Sequence, residues 1–194
     1  MSNNWNAIRT NQNLGLSDAW KEVNVWIITA YFRQHGWTDN AIAGMLGNMD
    51  IESFINPAQS EVGSGLYDTN YGFGLVQWTG SSRVDFVNWA GADWETNYDK
   101  QLDRIMYELN GGYIQWIPVA DYNYMTFAQF AVSTQTPEYL AMAFEYSYER
   151  GTPLTAQREA AARKWYNVIN GTPTPGGNLP IWLLFKLRWN NFGG

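Results

Sequence analysis

The 194-residue sequence has no cysteine and a single histidine, His35. Without thiols there are no disulfides and no thiolate zinc sites, so the fold cannot depend on the redox state of its surroundings. One imidazole cannot build a multi-histidine metal site, and it argues against a Ser-His-Asp triad. No metal or cofactor is called for by any motif in the chain. Charge is also scarce: Asp, Glu, Lys and Arg make up 15% of the residues, and the net charge is −6. Nucleic acid as a partner needs a basic face to neutralise phosphates, and this balance argues against it. No uninterrupted apolar run reaches the roughly 18 to 20 residues that span a bilayer. The opening stretch, MSNNWNAIRTNQNLG, is polar and lacks the apolar centre of a signal peptide.

Against these absences stand a hydrophobic content of 45% and 11 Trp, 12 Tyr and 9 Phe. That is enough apolar surface for one well-packed domain, or for one domain with an appendage. Aromatics in this number supply core anchors and cleft walls, and flat rings of the kind that stack on sugars.

The hydrophobic spacing predicts a mostly helical chain. Residues 17–35 read as a helix capped by Ser17 or Asp18, with Val23, Trp26, Ile27, Ala30 and Tyr31 on the buried face. A second helix begins near Thr38 and carries a stripe of Ile42, Met45, Leu46 and Met49. It must stop before Pro57, which disfavours helical geometry at Asn56. From 58 to 79, Gly63, Gly65, Gly72 and Gly74 punctuate short polar and aromatic pieces, which predicts loops or a small hairpin. Further helices are expected over 81–90, over 96–109 with a Thr96–Asp99 capping box, over 136–150 and over 155–169. The 96–109 helix should bury Leu102, Ile105, Met106 and Leu109. Residues 1–170 thus form one domain, GTPTPGGN at 171–178 is a linker by composition, and 179–194 is an apolar tail. That tail reads as a surface strap, as the stub of a further domain, or as a segment lying on a membrane interface.

Two stretches carry chemistry. In MLGNMDIESFINP (45–57), Glu52 follows Met49 by three residues and so lies beside the apolar stripe, in the last helical turn. Apolar surroundings and a negative helix end both disfavour a carboxylate, and a carboxylic acid that keeps its proton can protonate a departing glycosidic oxygen. The competing structural reading is a helix-terminal glutamate bonded to Ser53 or to a nearby amide. In YGFGLVQWT (71–79), Gly72 and Gly74 remove side chains where a backbone or a ligand could approach. Gln77 offers a neutral donor and acceptor for an N-acetyl or hydroxyl group, and Tyr71, Phe73 and Trp78 offer flat faces. The structural alternative is a glycine-rich hairpin anchored in the core. A hydrolase would need a second carboxylate as base or nucleophile. Asp68 and Glu61, both in the irregular segment after Glu52, are the residues considered for it. Asp50 is assigned to the other side of its helix, Asp85 to the outer face of the following helix, and His35 to a helix end with no catalytic role.

The pairing AIAGMLGNMDIESFINP with YGFGLVQWTGSSR, followed by FEYSYERGTP, resembles the phage tail-tip lysozyme domain. That family lies within the lysozyme-like superfamily of goose-type lysozymes and soluble lytic transglycosylases. The likeness runs over residues 18–170. It departs from the family pattern at Gly151, where a proline follows Glu-Arg in the family. The resemblance implies an α+β, predominantly helical, lysozyme-like fold with a small hairpin or loop region beside the substrate cleft. It implies Glu52 as catalytic acid, with Tyr71, Gln77 and Trp78 on the glycan cleft. It further implies a peptidoglycan-degrading muramidase at a phage tail tip, with peptidoglycan strands and other tail proteins as partners. A lytic transglycosylase using Glu52 alone and a non-catalytic glycan-binding tail protein are the alternatives, as is action as a late lysis protein in the host cell. TDNAIAGMLGNMDIES has a superficial likeness to a helix-turn-helix, which the acidic balance argues against.

Overall fold

In the computed structural model, residues 3–66, 68, 70–151 and 154–171 are described. Seven α-helices appear among them: α1 Asp18–Gln34, α2 Asp39–Ser53, α3 Gly80–Ala90, α4 Asp99–Leu109, α5 Phe127–Ala131, α6 Pro137–Phe144 and α7 Thr155–Ile169. A 3-10 turn covers Ala120–Tyr122, and α6 runs into a π-helical turn over Glu145–Glu149. The predominantly helical fold is as expected. Among the described residues between α2 and α3 the β-contacts are isolated bridges, Gln59 with Thr10, Ser60 with Phe73 and Phe73 with Trp78, in place of a regular hairpin. Most of the linker and all of the apolar tail lie outside the described residues. Among the described residues no helix is long and apolar enough to cross a membrane.

Helix α2 is the axis of the domain. Every residue from Ala41 to Asp50 is buried, because α6 and α7 pack against it closely. A Cβ added at Gly44 would lie 2.8 Å from the Leu140 backbone, and one at Gly47 would lie 2.7 Å from the Arg158 carbonyl oxygen. Those two glycines let the helix axes approach without side chains between them. The capping signals are as the sequence predicts at α1, α2 and α6. Ser17 accepts from the Trp20 amide, Thr38 from Ala41 and Thr136 from Tyr139, with Pro137 at the first turn of α6.

Three expectations are corrected. The buried face of α1 is Asn24, Val25, Ile28, Thr29 and Phe32, while Val23 is 43% exposed. Asn24 causes the rotation: its amide donates to the Asn6 and Ile55 carbonyls and so occupies the inner face. Helix α4 begins at Asp99, because Thr96 and Asn97 close a turn on the Asp93 carbonyl and no Thr96 capping box forms. Helix α5, between 109 and 136 where no helix is expected, is held by a Thr126–Gln129 capping box. Asp50, expected on the other side of α2, is 8% exposed, pairs with Lys21 at 2.5 Å and accepts from the Trp165 indole at 2.9 Å.

Candidate active-site cleft

Helix α2 stops abruptly just after Glu52. Phe54 and Ile55 both adopt left-handed backbone, with φ of 57° and 54°. For a β-branched residue that conformation is an outlier, stored where the surroundings over-determine it. Here the Ile55 amide donates to Met49 O, the Asn24 side chain donates to Ile55 O, and the Ile55 side chain is fully buried. The Ser53 hydroxyl donates to Met49 O and Leu75 O, both at 2.9 Å, tying the end of α2 to the glycine-rich segment. Glu52 itself makes neither contact, so the Ser53-bonded reading of its carboxylate does not hold.

The Glu52 side chain is 23% exposed and opens on a cleft of about 420 Å³. Gln59, Ser60, Glu61, Gly72, Gln77, Thr79, Glu149 and Gly151 also line it. The surroundings of Glu52 are not the apolar ones expected from its helix position. Arg158 of α7, only 3% exposed, donates from Nη2 to Glu52 Oε1 at 2.5 Å. The same guanidinium donates from Nη1 to Asn48 Oδ1 at 2.8 Å, and its Nε lies 2.8 Å from Glu145 Oε2. That last contact lacks the alignment of a hydrogen bond, so Glu145, 1% exposed, has a charge partner but no donor. One buried arginine thus stands among Glu52, Glu145 and Glu149.

Glu145 and Glu149 lie four residues apart on the π turn, on one face of it. Burial holds the Glu145 carboxyl above its ordinary range, against the pull of Arg158. Glu149 is half-buried as a residue, yet its Oε1 is removed from solvent and accepts no protein hydrogen bond. Burial first, and then the charge of Glu52, push its carboxyl well above the usual glutamate range, with smaller contributions from Glu145 and Glu108. The cleft therefore brings a carboxyl group paired with a buried cation together with one whose surroundings favour its neutral form.

The other expected site residues separate into groups. Glu61 lines the cleft, and its Oε2 accepts from the Gly72 amide at 2.8 Å. Asp68 is not among the lining residues, and its Oδ1 is taken by the amide and side chain of Asn70. Gln77 lines the cleft in a left-handed conformation, with φ of 49°. Its Nε2 donates inward to Gly74 O at 2.8 Å, which leaves Oε1 as an acceptor. Gly72 is small for this side chain, since a Cβ there would meet Gln77 Oε1 at 2.6 Å. Tyr71 is exposed beside the cleft, and its carbonyl is fixed by Arg83. Trp78 is not a cleft wall. It is 1% exposed, stacks on Phe86, and donates to Tyr148 and Glu108 in a buried network completed by Arg104. Its ring faces inward because the Phe73–Trp78 bridge folds the segment back on itself.

Glu145, Glu149 and Arg158 escaped the sequence reading. The signal for the first two is a like-charge i, i+4 pair in an otherwise aromatic stretch, a destabilising placement without a compensating cation. For Arg158 it is a cation that begins the buried stripe Ala161, Ala162, Trp165, Val168 of α7.

Residues 23–169 match a family model described as phage tail lysozyme. The chain belongs to that family. The matched span of this phage tail lysozyme chain contains Glu52, Gln77, Glu149 and Arg158, and it bears out the resemblance carried by the first two motifs. The chain is also similar to Morphogenesis protein 1 of Bacillus phage B103, with 40% identity over 158 residues, covering 79% of this chain and 41% of that protein. It therefore spans less than half the length of that relative.

Proposed function

We propose that the chain is a peptidoglycan-degrading glycosidase, a muramidase that cleaves the β-1,4 bond between N-acetylmuramic acid and N-acetylglucosamine. It acts from the phage tail tip on the bacterial cell wall. The observation that carries this reading is the cleft in which Glu52, at a strained helix end, shares a carbohydrate-sized space with Glu149 and the Gln77 amide oxygen. Glycoside hydrolysis asks for a carboxyl on each side of the scissile bond, and the cleft supplies carboxyl groups from two separate segments of the chain. A second carboxyl beside Glu52 favours water as the attacking group over the muramic 6-hydroxyl of a lytic transglycosylase, which needs Glu52 alone. Glycan contacts come from Gln77, with exposed Tyr71 beside the cleft as a stacking face. Other tail proteins are partners through surfaces outside the cleft.

Clearing of a purified cell-wall suspension tests the reading. Wild-type protein is expected to lower its turbidity, and Glu52→Gln to slow clearing by at least about 100-fold with unchanged circular dichroism. Equal clearing by both proteins would refute a glycosidase centred on Glu52.

A further inference from the structure

We propose that the N-terminal arm, residues 6–13, belongs to the substrate-binding apparatus of the cleft, and that Asn11 is a positioning residue that holds Glu61 and Val62 against a bound glycan. This inference rests on the glycosidase reading above and concerns how that cleft grips its substrate. Residues 6–13 precede the span 23–169 that matches the family model, yet they are tied to the site at two places. At the first, the Asn24 amide donates to Asn6 O at 2.7 Å and to Ile55 O at 2.8 Å. The Asn56 side chain accepts from the Ile8 amide at 3.1 Å and donates to Ile8 O at 2.7 Å. The arm is thereby registered on the chain just after Glu52, where Phe54 and Ile55 are left-handed. At the second, Thr10 bridges Gln59 in parallel, and the Ser60 amide donates to Thr10 O at 2.8 Å.

Glu61 and Val62 line the cleft from a tight turn, in which the Ser64 amide and hydroxyl both donate to Glu61 O. Gly72 pins one edge of that turn: its carbonyl accepts from the Glu61 amide and its amide donates to Glu61 Oε2, each at 2.8 Å. Asn11 pins the other edge. Its carbonyl accepts from the Gly63 amide at 2.9 Å, and its side-chain amide donates to Ser64 O at 2.5 Å. Val62, between the two edges, is 56% exposed, so hydrogen bonds rather than apolar burial set where the turn sits. The adjoining Gln59 carbonyl accepts from Gln77 Nε2 at 3.2 Å, which links the arm-supported segment to the proposed glycan contact as well. Losing the Asn11 side-chain donor frees one edge of the turn, while Glu52 stays fixed on α2. Contacts with bound substrate then weaken more than the bond-breaking step does.

Steady-state kinetics and binding on a soluble GlcNAc–MurNAc tetrasaccharide test the role. Asn11→Asp keeps the shape of the side chain but cannot donate to Ser64 O, and Asn11→Ala removes the group altogether. Both are expected to raise KM at least about fivefold with kcat within about threefold of wild type. Calorimetric titration in a Glu52→Gln background, where turnover is stopped, should show binding weakened by the same factor. Val25→Ala, in the core of α1, is the control for a merely structural effect: its melting temperature should fall with KM unchanged. Asn11 variants that keep wild-type KM and affinity would overturn the proposal, whatever their melting temperature, as would a fall in kcat with KM unchanged. Wild type that binds the tetrasaccharide without cleaving it would sink the glycosidase reading alone, and the titration would still judge Asn11. Wild type that neither binds nor cleaves it would sink both.

Discussion

Replacing Arg158 with methionine should be the most damaging single change at the site, and the structure sets its size. The guanidinium is 3% exposed and contacts Glu52, Glu145 and Asn48. Methionine fills most of the volume but removes the positive charge, leaving Glu145 buried without compensation. Breaking a buried pair from one side costs about 3 to 5 kcal/mol. For a domain of this length that converts to a fall in melting temperature of about 6 to 20 °C. The sign with pH follows from Glu145. Its folded carboxyl already lies above the ordinary value, so its effect on stability is unfavourable and grows as pH rises from the unfolded-state value toward the folded one. Removing Arg158 takes away the influence that opposes this and widens the window, so the deficit should be small near pH 4 and grow toward pH 7. Urea denaturation of wild type and Arg158→Met across that range reads it directly. Adding Glu145→Gln to the variant should recover part of the loss. A deficit below about 1 kcal/mol at pH 7, in the range of an exposed pair, would refute Arg158 as the buried counter-ion of the cleft.

Glu149→Gln should raise stability at pH 7, by about 0.5 to 2 kcal/mol, since the acid is desolvated among other carboxylates. Because its folded carboxyl sits above the unfolded value, that gain should shrink as pH falls from 7 and be absent below about 4.5, measured by melting temperature against pH. Trp78→Phe should cost about 1 to 3 kcal/mol through the lost indole donor to Tyr148 and Glu108, with KM on peptidoglycan fragments unchanged. A large rise in KM would return Trp78 to the cleft wall. Gly47→Ala should lower stability by about 1 to 3 kcal/mol, because its Cβ would press on the α7 backbone at Arg158 and Ala162, and thermal melting checks it.

The sequence made the helices legible where periodicity and capping chemistry coincide, as at α2 and α6. It misled at α1, where a polar Asn24 bonds to two distant backbone carbonyls and so takes an inner position that a hydrophobic pattern assigns elsewhere. The pairing of Glu52 with Gln77 could be anticipated because both sit in local motifs with distinctive spacing. What stands around Glu52 could not, since Arg158 is 106 residues away and Glu149 is on a third segment; only the packing of α2 on α6 and α7 brings them together. Trp78 shows the converse error. An aromatic beside a glycine-rich turn suits a ligand wall and a core anchor equally, and its indole partners, Glu108 and Tyr148, decide the matter from afar.

Digestion of purified peptidoglycan followed by mass spectrometry of the muropeptides tests the central claim most directly. Hydrolysis at the Glu52 cleft should yield fragments ending in reducing N-acetylmuramic acid from wild type and none above background from Glu52→Gln. Fragments ending in 1,6-anhydromuramic acid, or in reducing N-acetylglucosamine, would contradict it.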